Sequence, residues 1–248
     1  MQVIDVPASQ GWLWIKDAWR LFKGAPLGWM SLAGGWLILV FLVRFIPFVG
    51  FFTIPLQPAF SAGCMIACRD QENGGSPNLS HLFCAFRGNL RALVVVGFVT
   101  FAGELAILML LGALGFPTLS LSGDGESIDF VAYSVALEEK AWIVFLAMVL
   151  TSLFKGAMWF APTILAFNKM SAGAAIRWSL YAFLSNFGAM FFYWILVAAM
   201  YFLALLPSGA GLFIAIPLTL ISSYTGYTAM FREEPEEVAP APPPAPAI

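Results

Sequence analysis

Residues 92–114 read ALVVVGFVTFAGELAILMLLGAL, an apolar stretch with one ionisable side chain, Glu104. Residues 141–167 read AWIVFLAMVLTSLFKGAMWFAPTILAF and carry one as well, Lys155. At about 1.5 Å of rise per residue, each segment is long enough to cross the roughly 30 Å hydrocarbon core of a bilayer. Stretches this long and this uniformly apolar read as membrane-spanning helices rather than as core helices of a soluble fold. They set the expected fold class: an all-α polytopic membrane protein.

Four further segments fit the same template: Leu27–Phe45, Phe48–Ala67, Phe187–Leu206 and Gly211–Met230. With Ala92–Leu114 and Ala141–Phe167 they predict six transmembrane helices. Very short turns join the first to the second and the fifth to the sixth, punctuated by Pro47 with Gly50 and by Pro207-Ser208-Gly209, so these pairs read as helical hairpins. Pro55 and Pro58 interrupt the second segment and leave a re-entrant dip as an alternative there. Full spanning is preferred, because lipid does not tolerate irregular backbone.

Composition agrees. Of 248 residues 60% are hydrophobic and 10% charged, with 24 Phe and 9 Trp. A soluble globule of this size could not hide so much apolar surface. A soluble enzyme and a disordered chain are excluded on that ground, and the net charge of −2 argues against a nucleic-acid partner.

Cations set the expected orientation. Lys16, Arg20, Lys23, Arg69, Arg87, Arg91, Lys169, Arg177 and Arg232 all fall on one side of the six spans. The positive-inside bias makes that side cytoplasmic, with both termini inside and the acidic loop 115–140 outside. The first 25 residues lack the order of a cleaved signal, so the N-terminus is expected to be retained. Cys64, Cys68 and Cys84 lie at or near the cytoplasmic face. They read as small apolar residues rather than a metal site, since zinc wants four ligands and the chain has a single histidine, His81.

A short pattern recurs before alternate spans. Ile15, Trp19 and Phe22 precede the first; Leu79, Phe83 and Phe86 the third; Ile176, Leu180 and Phe183 the fifth. Offsets of four and three place each trio on one helix face. The economical description is three units of interfacial amphipathic helix plus helical hairpin, at about 9–68, 79–168 and 172–231, within a transmembrane domain of 1–231. Trp12, Trp14, Trp19 and Trp178 suit the head-group level.

The residues Pro47-x2-Gly50, Pro58, Gly63, Gly74-Gly75, Leu82-Phe83 and Phe86-Arg87 resemble a pattern in uncharacterised six-helix bacterial inner-membrane proteins. Those are similar to the non-catalytic membrane domain of some glycerophosphodiester phosphodiesterases. The resemblance covers about residues 10–230. It implies a bacterial inner-membrane location and six helices, and it implies no activity.

Charge at mid-membrane is costly, so Glu104 and Lys155 are the candidate functional residues. Arg91 to Glu104 and Lys155 to Asn168 are each 13 residues. Both side chains therefore sit about 20 Å from the cytoplasmic ends of antiparallel neighbours and are expected to pair. A pin that sets the hairpin register is the preferred reading, and a proton or substrate relay is the alternative. Arg44 lies near the outer end of the first span, where it can snorkel or contact an anion in the outer leaflet. Ser222, Ser223, Tyr224, Thr225 and Tyr227, with Ala33, Gly34, Gly35, Ala161 and Ala215, read as helix-packing positions.

No phosphate loop or zinc-protease motif is present in the sequence, so no enzymatic activity, cofactor or metal is expected. Residues 232–248 turn acidic and then Pro/Ala-rich, which predicts a disordered cytoplasmic tail, with 235–248 a candidate docking segment. The role read from sequence is a membrane-organising component that contacts lipid, other membrane proteins or both. A small transporter or lipid-handling carrier built on Glu104 and Lys155 is the runner-up.

Overall fold

The computed structural model describes residues 1–43, 45, 49–116, 135 and 137–232; of residues 49–54 it describes the backbone alone. A short strand, β1 (Gln2–Val3), is followed by α1 (Gln10–Gly24), α2 (Pro26–Val43) and α3 (Val49–Glu72). A 3-10 helix (Leu79–Arg87), α4 (Leu90–Ala113), α5 (Ala141–Met158) and α6 (Ala161–Phe167) come next. The chain continues through α7 (Ala172–Ser185), α8 (Phe187–Leu205) and α9 (Leu212–Met230) into β2 (Phe231–Arg232). Among the described residues, five segments are long and apolar enough to cross a membrane: Pro26–Val43, Leu90–Ala113, Ala141–Phe167, Phe187–Leu205 and Leu212–Met230. The chain is an all-α polytopic membrane protein.

Local chemistry sets the boundaries. Ala25 leaves the helical region (φ −152°, ψ 62°) because it precedes Pro26, and Pro26 then starts α2, where a missing N–H costs nothing. Asn78 caps the 3-10 helix by accepting from Ser80 N at 3.0 Å, while His81 Nδ1 accepts from Asn78 N at 3.2 Å. Ser208 (φ 52°) and Gly209 (φ 82°) make the left-handed turn between α8 and α9.

α3 runs continuously through Pro55 and Pro58, which fits the preferred reading of that segment. One expectation changes: the fourth segment, read as one helix, divides at Trp159–Phe160 into α5 and α6. Pro162 lacks an N–H to continue the ladder, and the Phe160 N–H, freed at the break, donates to Ser179 Oγ of α7 at 3.0 Å.

β1 pairs antiparallel with β2, Gln2 opposite Arg232 and Val3 opposite Phe231. Buried Asn186, at the α7–α8 junction, secures the same region. Its Oδ1 accepts from Val6 N at 2.7 Å and its Nδ2 donates to Ile4 O at 3.1 Å. The start of the chain and the end of α9 therefore share one end of the bundle, here called the sheet end. Packing is densest there. α2 buries Trp29, Leu32 and Ala33, and α4 buries Ala92, Leu93, Val96 and Gly97. Farther along, α2 buries none of its residues after Ala33, and α4 only Leu111.

Residues 233–248 lie outside the described residues. Since β2 ends at Arg232, deleting 235–248 is expected to leave insertion and the thermal unfolding midpoint nearly unchanged. A marked fall of that midpoint in detergent would show that the tail docks on the bundle.

Candidate functional site

Glu104 and Lys155 meet across the α4–α5 pair, with Lys155 Nζ donating to Glu104 Oε1 at 2.8 Å. The contact is held by the residues just before each member. A Cβ at Gly103 would collide with the ring of Phe154, so glycine lets that ring lie against α4 beside the ion pair. On the other flank of α4, a Cβ at Gly97 would run into the Pro55 carbonyl, which brings α3 equally close. Close approach at Gly103 and Gly97 and the ion pair itself all lie on the faces by which α4 meets α5 and α3.

The pair is not buried between the helices. The Lys155 side chain is 56% exposed and that of Glu104 41%, apart from any lipid. Both line a cavity of about 320 Å³ in the middle of the bundle. Four helices bring polar residues to it. Gln57 and Ser61 come from α3, Thr100 and Glu104 from α4, Lys155 from α5, and Thr219 and Ser223 from α9. On α3, α4 and α9 the two are four residues apart, one turn along a single helix face. The rings of Trp36 of α2 and Phe60 of α3 meet at a 44° tilt on the apolar side, their centroids 4.3 Å apart. Met158, Trp159 and Pro162, at the break between α5 and α6, close another wall.

The hydroxyls divide by duty. Thr100 Oγ1 and Thr219 Oγ1 donate back to Val96 O and Ala215 O, each at 2.9 Å. Among the described residues, Gln57, Ser61 and Ser223 have no hydrogen bond to another protein group. The lining therefore offers an ammonium, a carboxylate, an amide and two free hydroxyls beside aromatic surface, with no net charge.

Other expected positions fall as follows. Arg44 lies outside the described residues. Ala33, Ala161 and Ala215 are buried at helix contacts. Gly35 packs against Leu79, whereas Gly34 faces open space and marks no contact. Ser222 packs as expected, its Oγ 2.7 Å from Tyr193 Oη, but its neighbour Ser223 faces the cavity. Cys64 and Cys68 are buried. A polar cluster near the sheet end was not foreseen. Gln71 accepts from Trp29 Nε1 and donates to Leu21 O, both at 2.8 Å, and Tyr224 Oη donates to Glu72 Oε2 at 2.5 Å. Arg69 stacks over Phe167 at 3.6 Å. These contacts cross-link α1, α2, α3, α6 and α9.

Comparison with known proteins places the chain beside a probable inner membrane protein of Burkholderia thailandensis. The two are 27% identical over 208 residues, covering 79% of this chain and 75% of the relative. No family model matches the chain, and no solved structure matches it.

Proposed function

We propose that this is a six-helix, non-catalytic inner-membrane carrier that admits an amphiphilic ligand to the central cavity. The observation that carries the reading is the Glu104–Lys155 pair itself. It is well exposed, at the mid-depth of two spans, and turned into a cavity rather than sealed between helices. A pin serving stability alone gains nothing from facing open volume. The membrane-organising reading draws on a different observation, the apolar far halves of α2, α4 and α5, where Phe41, Leu108 and Phe145 are all more than half exposed.

Parity supports six spans. β1 and β2 share one end of the bundle, which fits an even number of crossings between them. Five segments qualify on their own; α3, at 24 residues, supplies the sixth. Three helix-plus-hairpin units are supported by matched burial. The third position of each trio points inward, with Phe22 and Phe183 buried and Phe86 partly so. The second position, Trp19, Phe83 or Leu180, is exposed in every copy. The inner-membrane assignment draws on the name of the Burkholderia relative.

With the cation-rich side cytoplasmic, a charged thiol reagent applied from the periplasm to single-cysteine variants is expected to modify position 125 and to miss 75 and 240. Labelling at 75 would reverse the orientation. The cavity is tested by Ser61→Cys in a background lacking Cys64, Cys68 and Cys84. A membrane-impermeant thiol reagent is expected to modify it in reconstituted vesicles. Modification by a lipid-soluble maleimide alone would mean the cavity is dry, which removes the carrier reading and favours the organising one.

A further inference from the structure

We propose that the cavity binds the zwitterionic head group of a phospholipid whose ammonium is primary. This rests on the carrier reading and adds the ligand's chemistry. Lys155 uses one of three N–H donors on Glu104, which leaves two, and Glu104 keeps its second oxygen free. A ligand that satisfies both members must supply acceptor oxygens to Lys155 and N–H donors to Glu104. A phosphate joined by two carbons to an ammonium does so. It can extend the ion pair into an alternating array of four charges without changing the net charge of a low-dielectric site.

Simpler ligands fit less well. A lone anion would approach Lys155 against the Glu104 carboxylate, and a lone cation would meet the reverse. A quaternary ammonium brings charge but no N–H for Glu104 or for the free Gln57 carbonyl. Size agrees as well. The volume of about 320 Å³ is at the small end of ligand pockets and takes a head group rather than two acyl chains. Exposed Leu105 and Leu108 on α4, and Met148 and Leu153 on α5, flank the pair on the same helices and offer the chains an apolar surface outside the cavity. That continuity favours a lipid over a free zwitterion with the same head.

The experiment uses the full chain, purified and presented with an equimolar mixture of phosphatidylethanolamine, phosphatidylcholine and phosphatidylglycerol. Retained lipid is read by native mass spectrometry. One phosphatidylethanolamine is expected to be retained at least about tenfold over either competitor, the scale of one charge-assisted hydrogen bond. Glu104→Gln should abolish the preference over phosphatidylglycerol. Because that substitution is close to isosteric, folding is secured separately by the charge-exchanged pair Glu104→Lys with Lys155→Glu, which should keep the ethanolamine preference. Wild-type protein that retains phosphatidylglycerol equally well or better overturns the head-group assignment but leaves the carrier reading standing. Ser61→Trp should displace the retained lipid. If it does not, and no lipid protects Ser61→Cys from modification, the carrier reading falls. Protection by soluble phosphoethanolamine with none by the lipid overturns the lipid as source.

Discussion

Gly97→Leu is expected to give the largest loss of stability of any single substitution considered, about 3 kcal/mol or more. Even a Cβ at this position meets the Pro55 carbonyl, and backbone cannot rotate aside as a side chain can. Overpacking typically costs about 1–3 kcal/mol where neighbours are side chains. The effect runs against helix propensity, which alone would favour replacing glycine by about 1 kcal/mol. Gly34→Ala is the control. Nothing lies within 4 Å of its Cβ, so it should be neutral or slightly stabilising. Thermal unfolding in detergent followed by tryptophan fluorescence separates the two, and equal midpoints would mean α3 and α4 do not meet at Gly97.

The second large effect concerns the ion pair. Glu104→Ala leaves Lys155 with no anionic partner in the cavity. Breaking a fully buried pair costs about 3–5 kcal/mol. Because this pair is half exposed and bilayer or water can relax around it, about 1–3 kcal/mol is expected. Glu104→Gln should cost less, since an amide oxygen still accepts from Lys155. The double variant Glu104→Leu with Lys155→Met should recover most of the loss, because no unpaired charge remains. The coupling appears as a double variant more stable than the sum of the singles. Additive losses would mean the side chains do not interact in the membrane.

How far sequence reaches is clear from individual residues. Glu104 and Lys155 were legible because helix geometry converts a residue count into depth, and two charges at equal depth on neighbouring spans have few other partners. The break at Trp159–Phe160 was not, because it depends on Ser179 of α7 reaching Phe160 N. Proline alone does not decide it: Pro162 follows the break, yet Pro55, Pro58 and Pro217 lie within continuous helices. Gly34 and Gly35 are adjacent, yet about 100° of helical rotation puts one against Leu79 and the other in open space. The cavity was hidden for a related reason. A void is a property of several helices at once, and no single span encodes it. Its trace was present all the same in the polar pairs Gln57/Ser61, Thr100/Glu104 and Thr219/Ser223. Each reads as helix-packing polarity alone, and only their convergence separates them from that.

The most direct test is the lipid retained by the Glu104→Leu, Lys155→Met double variant under conditions where its unfolding midpoint matches wild type. If the pair serves a ligand, the variant folds normally and retains no phosphatidylethanolamine. A variant that retains the lipid as wild type does would show that Glu104 and Lys155 only hold α4 against α5.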